Sequence, residues 1–251
     1  MSLKSFLTKF FKGYEVLETV NSPINGEISV VEDFVGHREI KIGGITQSGW
    51  LVRKLWKVGI TAIKSKQLTL NNCLILGLGG GDAAKIINKK WPKARITGVE
   101  IDQKVVEVGK KYFGLDKIKN LEIVVGDAID YVENPDPQSP VTNHQSLVPN
   151  HQSPVTSPQS PIASHQSPVA KYDLILVDLY QGKEYPKRAE KDAFINALKE
   201  ILAKDGVVIF NRLSYQEYAK PANEFAKRLS DFFSHVWTKK AATNLLIFCQ
   251  N

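Results

Sequence analysis

Five short apolar runs recur along the chain, and stretches with helical spacing lie among them. The runs are Asn72–Leu78, Ala94–Glu100, Leu121–Val125, Tyr172–Asp178 and Gly206–Arg212. Their apolar positions are consecutive rather than alternate, which predicts strands covered on both faces. Asp82–Trp91, Gln103–Phe113, Arg188–Ala203 and Tyr215–Phe233 carry helical spacing. Strands that alternate with helices predict a parallel sheet with right-handed crossovers. The C-terminal end breaks the alternation. Val236–Thr238 and Asn244–Cys249 are separated only by Lys239–Thr243, too short for a crossover helix, so they predict an antiparallel hairpin. The fold class is therefore α/β: a three-layer sandwich around a seven-stranded, mostly parallel sheet, spanning residues 49–251.

Two segments stand outside this pattern. Residues 14–48 have short alternating stretches, Ile28–Val31 and Glu39–Ile42, set apart by Asn25-Gly26 and Gly43-Gly44. They predict a small antiparallel β-unit ahead of the main domain, and Gln47 to Ser65 then reads as helical. A low-complexity insert over 134–171 interrupts the main domain. Its heptads run from Pro137 to Lys171 as PQSPVTN, HQSLVPN, HQSPVTS, PQSPIAS and HQSPVAK. Proline in every unit forbids a helix interior, and the lack of apolar mass forbids a core, so an extended or disordered loop is expected. His144, His151 and His165 lie in these repeats and are read as copies of one duplicated unit rather than metal ligands. Residues 1–13 space Leu3, Phe6, Leu7, Phe10 and Phe11 among Lys4, Lys9 and Lys12, which predicts an amphipathic helix. Docking on its own domain or on a partner subunit is the ordinary use of such a helix; membrane-surface binding is the rival.

Composition narrows the picture further. There is no apolar run of bilayer length and no signal-peptide pattern, so no membrane span is expected. Cys73 and Cys249 are isolated in apolar runs and read as buried thiols of a reduced, cytoplasmic protein. The net charge of +7 comes from scattered lysines without an arginine-aromatic cluster, which points to no nucleic-acid partner. Lone His37 and His235 read as packing or surface residues, Trp50 and Trp56 as packing residues, and no metal site is expected.

The chemistry sits where the apolar runs end. Leu74-Ile75-Leu76 leads into Gly77-Leu78-Gly79-Gly80-Gly81-Asp82, a glycine-rich turn that opens a helix. Such a turn lets backbone approach a ligand closely and aims helix N–H groups at it. Val99-Glu100-Ile101-Asp102 ends the second run, where an acidic side chain can accept from both ribose hydroxyls. Gly126-Asp127-Ala128 ends the third, with Asp127 placed to accept from an adenine amino group. Val177-Asp178 ends the fourth, followed by Leu179 and Tyr180. An Asp at a strand end also caps the next helix. That explains any one of these residues but poorly explains four consecutive runs ending in Gly, Glu, Asp and Asp at the edge where open α/β sheets bind ligands.

At these residues the chain resembles the class I S-adenosylmethionine-dependent methyltransferases, whose fold is Rossmann-like. More narrowly it is similar to the spermidine synthase-like polyamine aminopropyltransferases, on Ser22-Pro23, Ile28–Glu32 and Gly44-Ile45-Thr46-Gln47-Ser48 in order and spacing. The resemblance implies S-adenosylmethionine or its decarboxylated form as co-substrate, with no metal. It implies cofactor contacts at Gln47, Gly77, Gly79, Gly80, Gly81, Asp82, Glu100, Ile101, Asp127 and Ala128. It implies Asp178 as the base that deprotonates an attacking amine. Tyr180 beside it reads either as a residue that flanks the reacting group or orients substrate, or as a surface aromatic at a loop start. Dimers and tetramers are common in the family, which leaves a homodimer open here. The partner expected is a small-molecule amine or methyl acceptor.

The chain also departs from the family. A second Asp usually follows three residues after the base, and here that position is Gln181, which cannot act as one. The family's Tyr-His-Glu group is absent, and Arg53-Lys54 stand in that stretch, where like charges would repel a diamine. Aminopropyl transfer is therefore the expectation, with methyl transfer and a binding protein that has lost the reaction as rivals. Residues Gly182–Lys191 read as a lid over the substrate or as a plain connection. Removing Pro137–Ala170 is expected to leave the thermal unfolding midpoint essentially unchanged; a collapsed, aggregating product would show that the repeats carry the fold.

Overall fold

The computed structural model describes residues 13–63, 69–134, 171–182 and 184–251. Nearly all of the helix expected over 1–13, and the repeats up to Ala170, lie outside the described residues. Four antiparallel strands open the described chain: β1 (Tyr14–Ser22), β2 (Gly26–Asp33), β3 (Arg38–Ile42) and β4 (Ile45–Ser48). Helix α1 (Trp50–Ala62) leads into the main sheet. There β5 (Asn72–Leu76), α2 (Asp82–Lys90), β6 (Arg95–Glu100), α3 (Gln103–Phe113), β7 (Leu121–Val125), α4 (Ala128–Glu133) and β8 (Tyr172–Val177) alternate. After α5 (Asp192–Ile201), β9 (Leu202–Leu213) and α6 (Ala219–Leu229), the hairpin of β10 (His235–Ala241) and β11 (Asn244–Gln250) ends the chain. The seven-stranded order is β10-β11-β9-β8-β5-β6-β7. Strands β9, β8, β5, β6 and β7 pair in parallel, and β11 pairs antiparallel with both β9 and β10.

The expected three layers follow from alternation within the apolar runs. Leu74, Leu76, Ile175, Val177, Val208 and Phe210 face one side, against Ile129, Phe194, Leu198, Phe225 and Leu229 of α4, α5 and α6. Cys73, Ile75, Leu174, Leu176, Val207 and Ile209 face the other, against Trp56, Ile60, Ala84, Ile87 and Val106 of α1, α2 and α3. Both cysteines are buried free thiols. Each fully buried Leu, Ile or Phe contributes about 1.5–3 kcal/mol over an exposed one, so the two-sided sheet is where most of the stabilisation resides.

Several boundaries differ from the sequence expectation. The segment after Gln47 does not begin as helix. Gln47 and Ser48 finish β4, and Gly49 at φ 133 turns the chain before α1 starts. A Cβ on Gly49 would lie 2.7 Å from the Arg38 carbonyl, so glycine permits that turn. The helix expected from Arg188 begins only at Asp192, because Lys187–Glu190 form a single 3-10 turn. Strand β9 begins at Leu202, where Tyr172 pairs with it, four residues before Gly206. The C-terminal turn is only Ala242-Thr243, with Ala242 left-handed at φ 53. Among the described residues, no helix is long and apolar enough to cross a membrane.

The small sheet packs on α3. Ile28, Val30, Ile40 and Ile42 meet Val105, Val108 and Phe113. A buried polar node at Asp102 (1% exposed) locks this contact. Its Oδ2 accepts from Ser22 Oγ at 2.5 Å and Asn25 Nδ2 at 2.7 Å, and its Oδ1 caps α3 through Lys104 N at 2.8 Å. Asp102→Ala removes the cap and leaves two donors without their charged acceptor. The expected loss is about 2–4 kcal/mol, read as a lower denaturant midpoint; a loss below about 0.5 kcal/mol, the range of inert surface changes, would contradict this role.

Candidate functional site

The carboxyl ends of β8, β5, β6 and β7 open into one cavity of about 1020 Å³. Its floor is the loop from Gly77 to Asp82, and the loop's shape depends on missing side chains. Gly77 has φ 88, and a Cβ there would lie 2.2 Å from the Asp178 carbonyl oxygen. The Gly77 and Leu78 N–H groups donate to Val99 O at 2.9 and 3.0 Å, and Asp178 N–H donates to Leu76 O at 2.8 Å. Gly79 and Gly80 face the small sheet. Gly80 N–H donates to Ser48 Oγ at 2.7 Å, and a Cβ on Gly79 would come within 2.7 Å of that oxygen. Gly81, at φ 80, caps α2 against Leu115. The Gln47-Ser48 pair and the glycine loop, distant in sequence, are thus docked on one another.

Glu100 is buried at the end of β6. Its Oε2 accepts from Gly79 N–H at 2.9 Å and its Oε1 from Asp102 N–H at 3.2 Å. Burial pushes its carboxyl above the usual range, and those backbone bonds pull it back. Each oxygen keeps a further lone pair, enough for two neighbouring hydroxyls. Asp127 ends β7 and also caps α4, as its position allows: Oδ1 accepts from Ile129 N at 2.7 Å and Asp130 N at 3.3 Å. Its Oδ2 lies 3.5 Å from the Arg188 guanidinium, which also pairs with Asp130 and Glu133. Ile101, Ala128 and Ile129 line this end of the cavity as apolar walls.

Asp178 stands at the end of β8, on the other side of β5 from Glu100. Asn211 Nδ2 donates to its Oδ1 at 2.8 Å and Trp56 Nε1 to its Oδ2 at 3.0 Å. Asn211 is itself fixed by Asn244 Nδ2 at 2.8 Å. Burial raises the Asp178 carboxyl above its ordinary value, against the pull of those two donors. Such a carboxylate can hold an ammonium and take a proton from it. Tyr180 lines the cavity, but its hydroxyl donates to Asn211 O at 3.2 Å and accepts from Leu213 N at 2.6 Å. Burial raises its phenol further. Its ring shapes the wall, and its hydroxyl ties the β8 loop to β9.

Asp82 lines the cavity with both oxygens engaged. Oδ2 accepts from Gly49 N–H at 2.7 Å, and Oδ1 from Arg53 Nε at 3.1 Å. Gln47 lines the opposite rim and donates to Gly182 O at 3.4 Å. All the residues expected at the cofactor site therefore surround one cavity, except that Gly80 and Gly81 act behind it as packing and capping positions. Sequence reasoning missed Trp56, Asn211, Asn244 and Arg188. Trp56 was expected only to pack; it does, at 2% exposure, but also holds Asp178. Trp50, expected to pack as well, is 40% exposed and stacks with His37. No local signal marks Asn211, which lies inside an apolar strand.

A spermine/spermidine synthase domain model matches residues 57–146. A probable spermidine synthase from Corynebacterium glutamicum ATCC 13032 has the same fold at TM-score 0.67 and 18% identity, over 94% of this chain and 79% of that one. The chain resembles spermidine synthases, in sequence over residues 57–146 and in fold over most of its length. It is also 24% identical over 206 residues to the eEF1A lysine and N-terminal methyltransferase of Mus musculus, covering 78% of this chain and 25% of that protein. It is 28% identical over 167 residues to a probable polyamine aminopropyl transferase of Bifidobacterium longum (strain NCC 2705), covering 66% of this chain and 29% of that protein. The match thus spans 25% of the length of the first relative and 29% of the second.

The described residues after β8 are held by several contacts. Gln181 and Glu184 exchange backbone hydrogen bonds at 3.0 Å. Tyr185 packs edge-on against Tyr180, and the buried Arg212 guanidinium lies 3.9 Å from the Tyr185 ring while pairing with Glu190 at 2.7 Å. In Trp56→Phe the carboxylate of Asp178 loses a donor that favours its charged form, so its pKa rises further. The acidic limb of the turnover profile is then expected at higher pH than in the unaltered protein; an unshifted limb would separate Trp56 from the titrating group.

Proposed function

We propose that this protein is a transferase that moves an alkyl group from an adenosyl sulfonium to an amine nitrogen. The observation that carries the reading is the single cavity shared by Glu100, the glycine loop and Asp178, on adjoining strands. Neighbouring strands are spaced by about 4.8 Å. An adenine near Asp127 at β7 and a ribose on Glu100 at β6 bring the sulfur over the β5 loop. The carbon to be transferred then points toward Asp178 at β8.

The chemistry needs little more than placement. An amine nitrogen held at Asp178 attacks the carbon bound to sulfur. The carbon–sulfur bond breaks with its electron pair going to sulfur, which becomes a neutral thioether, and the amine proton passes to the Asp178 carboxylate. Holding the two reactants in line supplies most of the acceleration, and the carboxylate keeps the amine nucleophilic. Arg53 does not act as a free repelling charge on the amine, since Asp82 neutralises it.

Two donors suit this reading. The domain match and the Gln47-Ser48 dock favour decarboxylated S-adenosylmethionine and aminopropyl transfer. Gln181 in place of a second acidic group, and the methyltransferase likeness, favour S-adenosylmethionine and methyl transfer.

The test follows both products. With decarboxylated donor and a panel of amines, methylthioadenosine is measured; with S-adenosylmethionine, S-adenosylhomocysteine. Asp178→Asn is expected to abolish either product while nucleoside affinity stays near that of the unaltered protein. Glu100→Ala is expected to weaken nucleoside binding itself by about 1–3 kcal/mol, the value of a hydrogen bond to a buried charge. Neither product with any acceptor, or unchanged affinity in Glu100→Ala, overturns the proposal.

A further inference from the structure

Asp178 is held at the end of a line of amides that runs across three strands. Val177 pairs with Phe210, so the next residues, Asp178 and Asn211, lie side by side at the ends of β8 and β9. Leu246 of β11 stands opposite Asn211, and Asn244, two residues earlier, is the diagonal neighbour on the same face. The hydrogen bonds follow that diagonal. Thr243 Oγ1 donates to Asn244 Oδ1 at 3.1 Å, Asn244 Nδ2 to Asn211 Oδ1 at 2.8 Å, and Asn211 Nδ2 to Asp178 Oδ1 at 2.8 Å. Asn211 is buried and Asn244 half-buried, whereas Thr243 lies exposed in the turn between β10 and β11. All four residues line the cavity.

An asparagine presents either its NH2 or its carbonyl oxygen to a carboxylate with nearly the same shape. Only the first favours the charged form. With the oxygen turned to Asp178, two acceptors face each other, and only a proton on the carboxyl satisfies them. For Asn211 the choice is made behind it. Turning its amide sets its nitrogen against the Asn244 Nδ2, donor against donor, and breaks both bonds at once. The main chain of Asn211 is committed as well, since its carbonyl accepts from the Tyr180 hydroxyl.

We propose that Asn244 is a positioning residue: by donating to Asn211 Oδ1 it keeps the Asn211 NH2 aimed at Asp178, and so keeps that carboxylate ionised and directed to receive the amine proton. The role rests on the reading of Asp178 as the base of the transfer. Burial already raises the Asp178 carboxyl against the pull of its two donors, so the loss of either registers in its protonation. The other charged or titratable groups around it are Tyr180 and Tyr185 after β8, Arg212 of β9, Lys54 of α1, Asp82 of α2 and Glu100 of β6. The hydrogen bonds of the Asn244 side chain run to Asn211 and Thr243, and none of these groups depends on it.

Two readouts on the full chain test this. One is the pH profile of kcat with the acceptor from the amine panel that gives product. The other is a carbon-13 NMR titration of the Asp178 carboxyl, assigned by its loss in Asp178→Asn. In Asn244→Leu the acidic limb and the carboxyl titration are both expected at higher pH than in the unaltered protein, because a donor that favours the charged form is no longer secured. On the plateau kcat is expected to fall about two- to tenfold, the value of one lost hydrogen bond. Affinity for S-adenosylhomocysteine, held on the Glu100 side, stays unchanged. Asn244→Ala, which adds no bulk, is expected to shift both readouts in the same direction. In an Asn211→Leu background neither Asn244 substitution moves the limb further, since the effect passes through Asn211. An unmoved limb and titration in both Asn244 variants overturns the proposal, and so does an undiminished shift in the Asn211→Leu background. A lower kcat without a pH shift, together with weaker nucleoside binding, overturns it by making Asn244 merely structural. If no acceptor gives product, the titration alone decides: a shift leaves the role of Asn244 standing while the transferase reading falls, and no shift overturns both.

Discussion

The architecture depends on the close approach of three chain segments to a loop that has almost no side chains. Gly77 must lie against the Asp178 carbonyl, at a separation that a Cβ would reduce to 2.2 Å. Gly79 and Gly80 must lie against Ser48, and their N–H groups have no partner within the loop. Glu100 and Ser48 supply those partners. A buried N–H without an acceptor costs about 1–3 kcal/mol, so the loop, β4 and the end of β6 settle together or not at all. The same contacts bring the carboxylates that end β6 and β8 to one rim. The site is thus a by-product of satisfying backbone donors where no side chain can intervene.

Charge in the interior is handled in a consistent way. Glu100, Asp102 and Asp82 are buried and Asp178 is half-buried, and each accepts at least two hydrogen bonds. Their roles separate by what remains after those bonds. Asp102 takes three donors and has turned away from the cavity toward the small sheet. Glu100, two residues earlier, takes one donor on each oxygen and keeps capacity for a ligand. Asp178 takes two side-chain donors from opposite sides, which fixes its orientation while burial raises its proton affinity. A base for an amine needs both properties: a fixed direction and a carboxyl willing to receive a proton.

The segment after β8 is held by aromatic and ionic contacts rather than by strand pairing. Arg212 is enclosed between Tyr185 and Phe225 and paired with Glu190. Tyr180 bridges to the backbone of β9 through both capacities of its hydroxyl. At the Asp127 end of the cavity, Arg188 ties the 3-10 turn to Asp127, Asp130 and Glu133. These contacts fit a rigid rim better than the lid that the polar sequence of Gly182–Lys191 also allowed. They also explain why the helix expected at Arg188 starts late: Arg188 and Glu190 are committed to α4 and to Arg212, in directions that a continuous helix would not give them.

The amino-acid sequence by itself determined the α/β class, the parallel order implied by strand and helix alternation, the closing hairpin, and the set of acidic residues at strand ends. These follow from periodicity and from residues adjacent in the chain, so local pattern was enough. It equally marked Gln47-Ser48 and the glycine loop, though not that one docks on the other. Only the tertiary structure decided which acids face the cavity, because that depends on donors from distant segments: Ser22 and Asn25 for Asp102, Trp56 and Asn211 for Asp178, Gly49 and Arg53 for Asp82. Trp56 reads as a packing residue, and Asn211 as only one position inside the apolar run Gly206–Arg212. Their polar atoms acquire a purpose only when β9 and α1 are laid beside β8, and no spacing along a single strand or helix encodes that meeting.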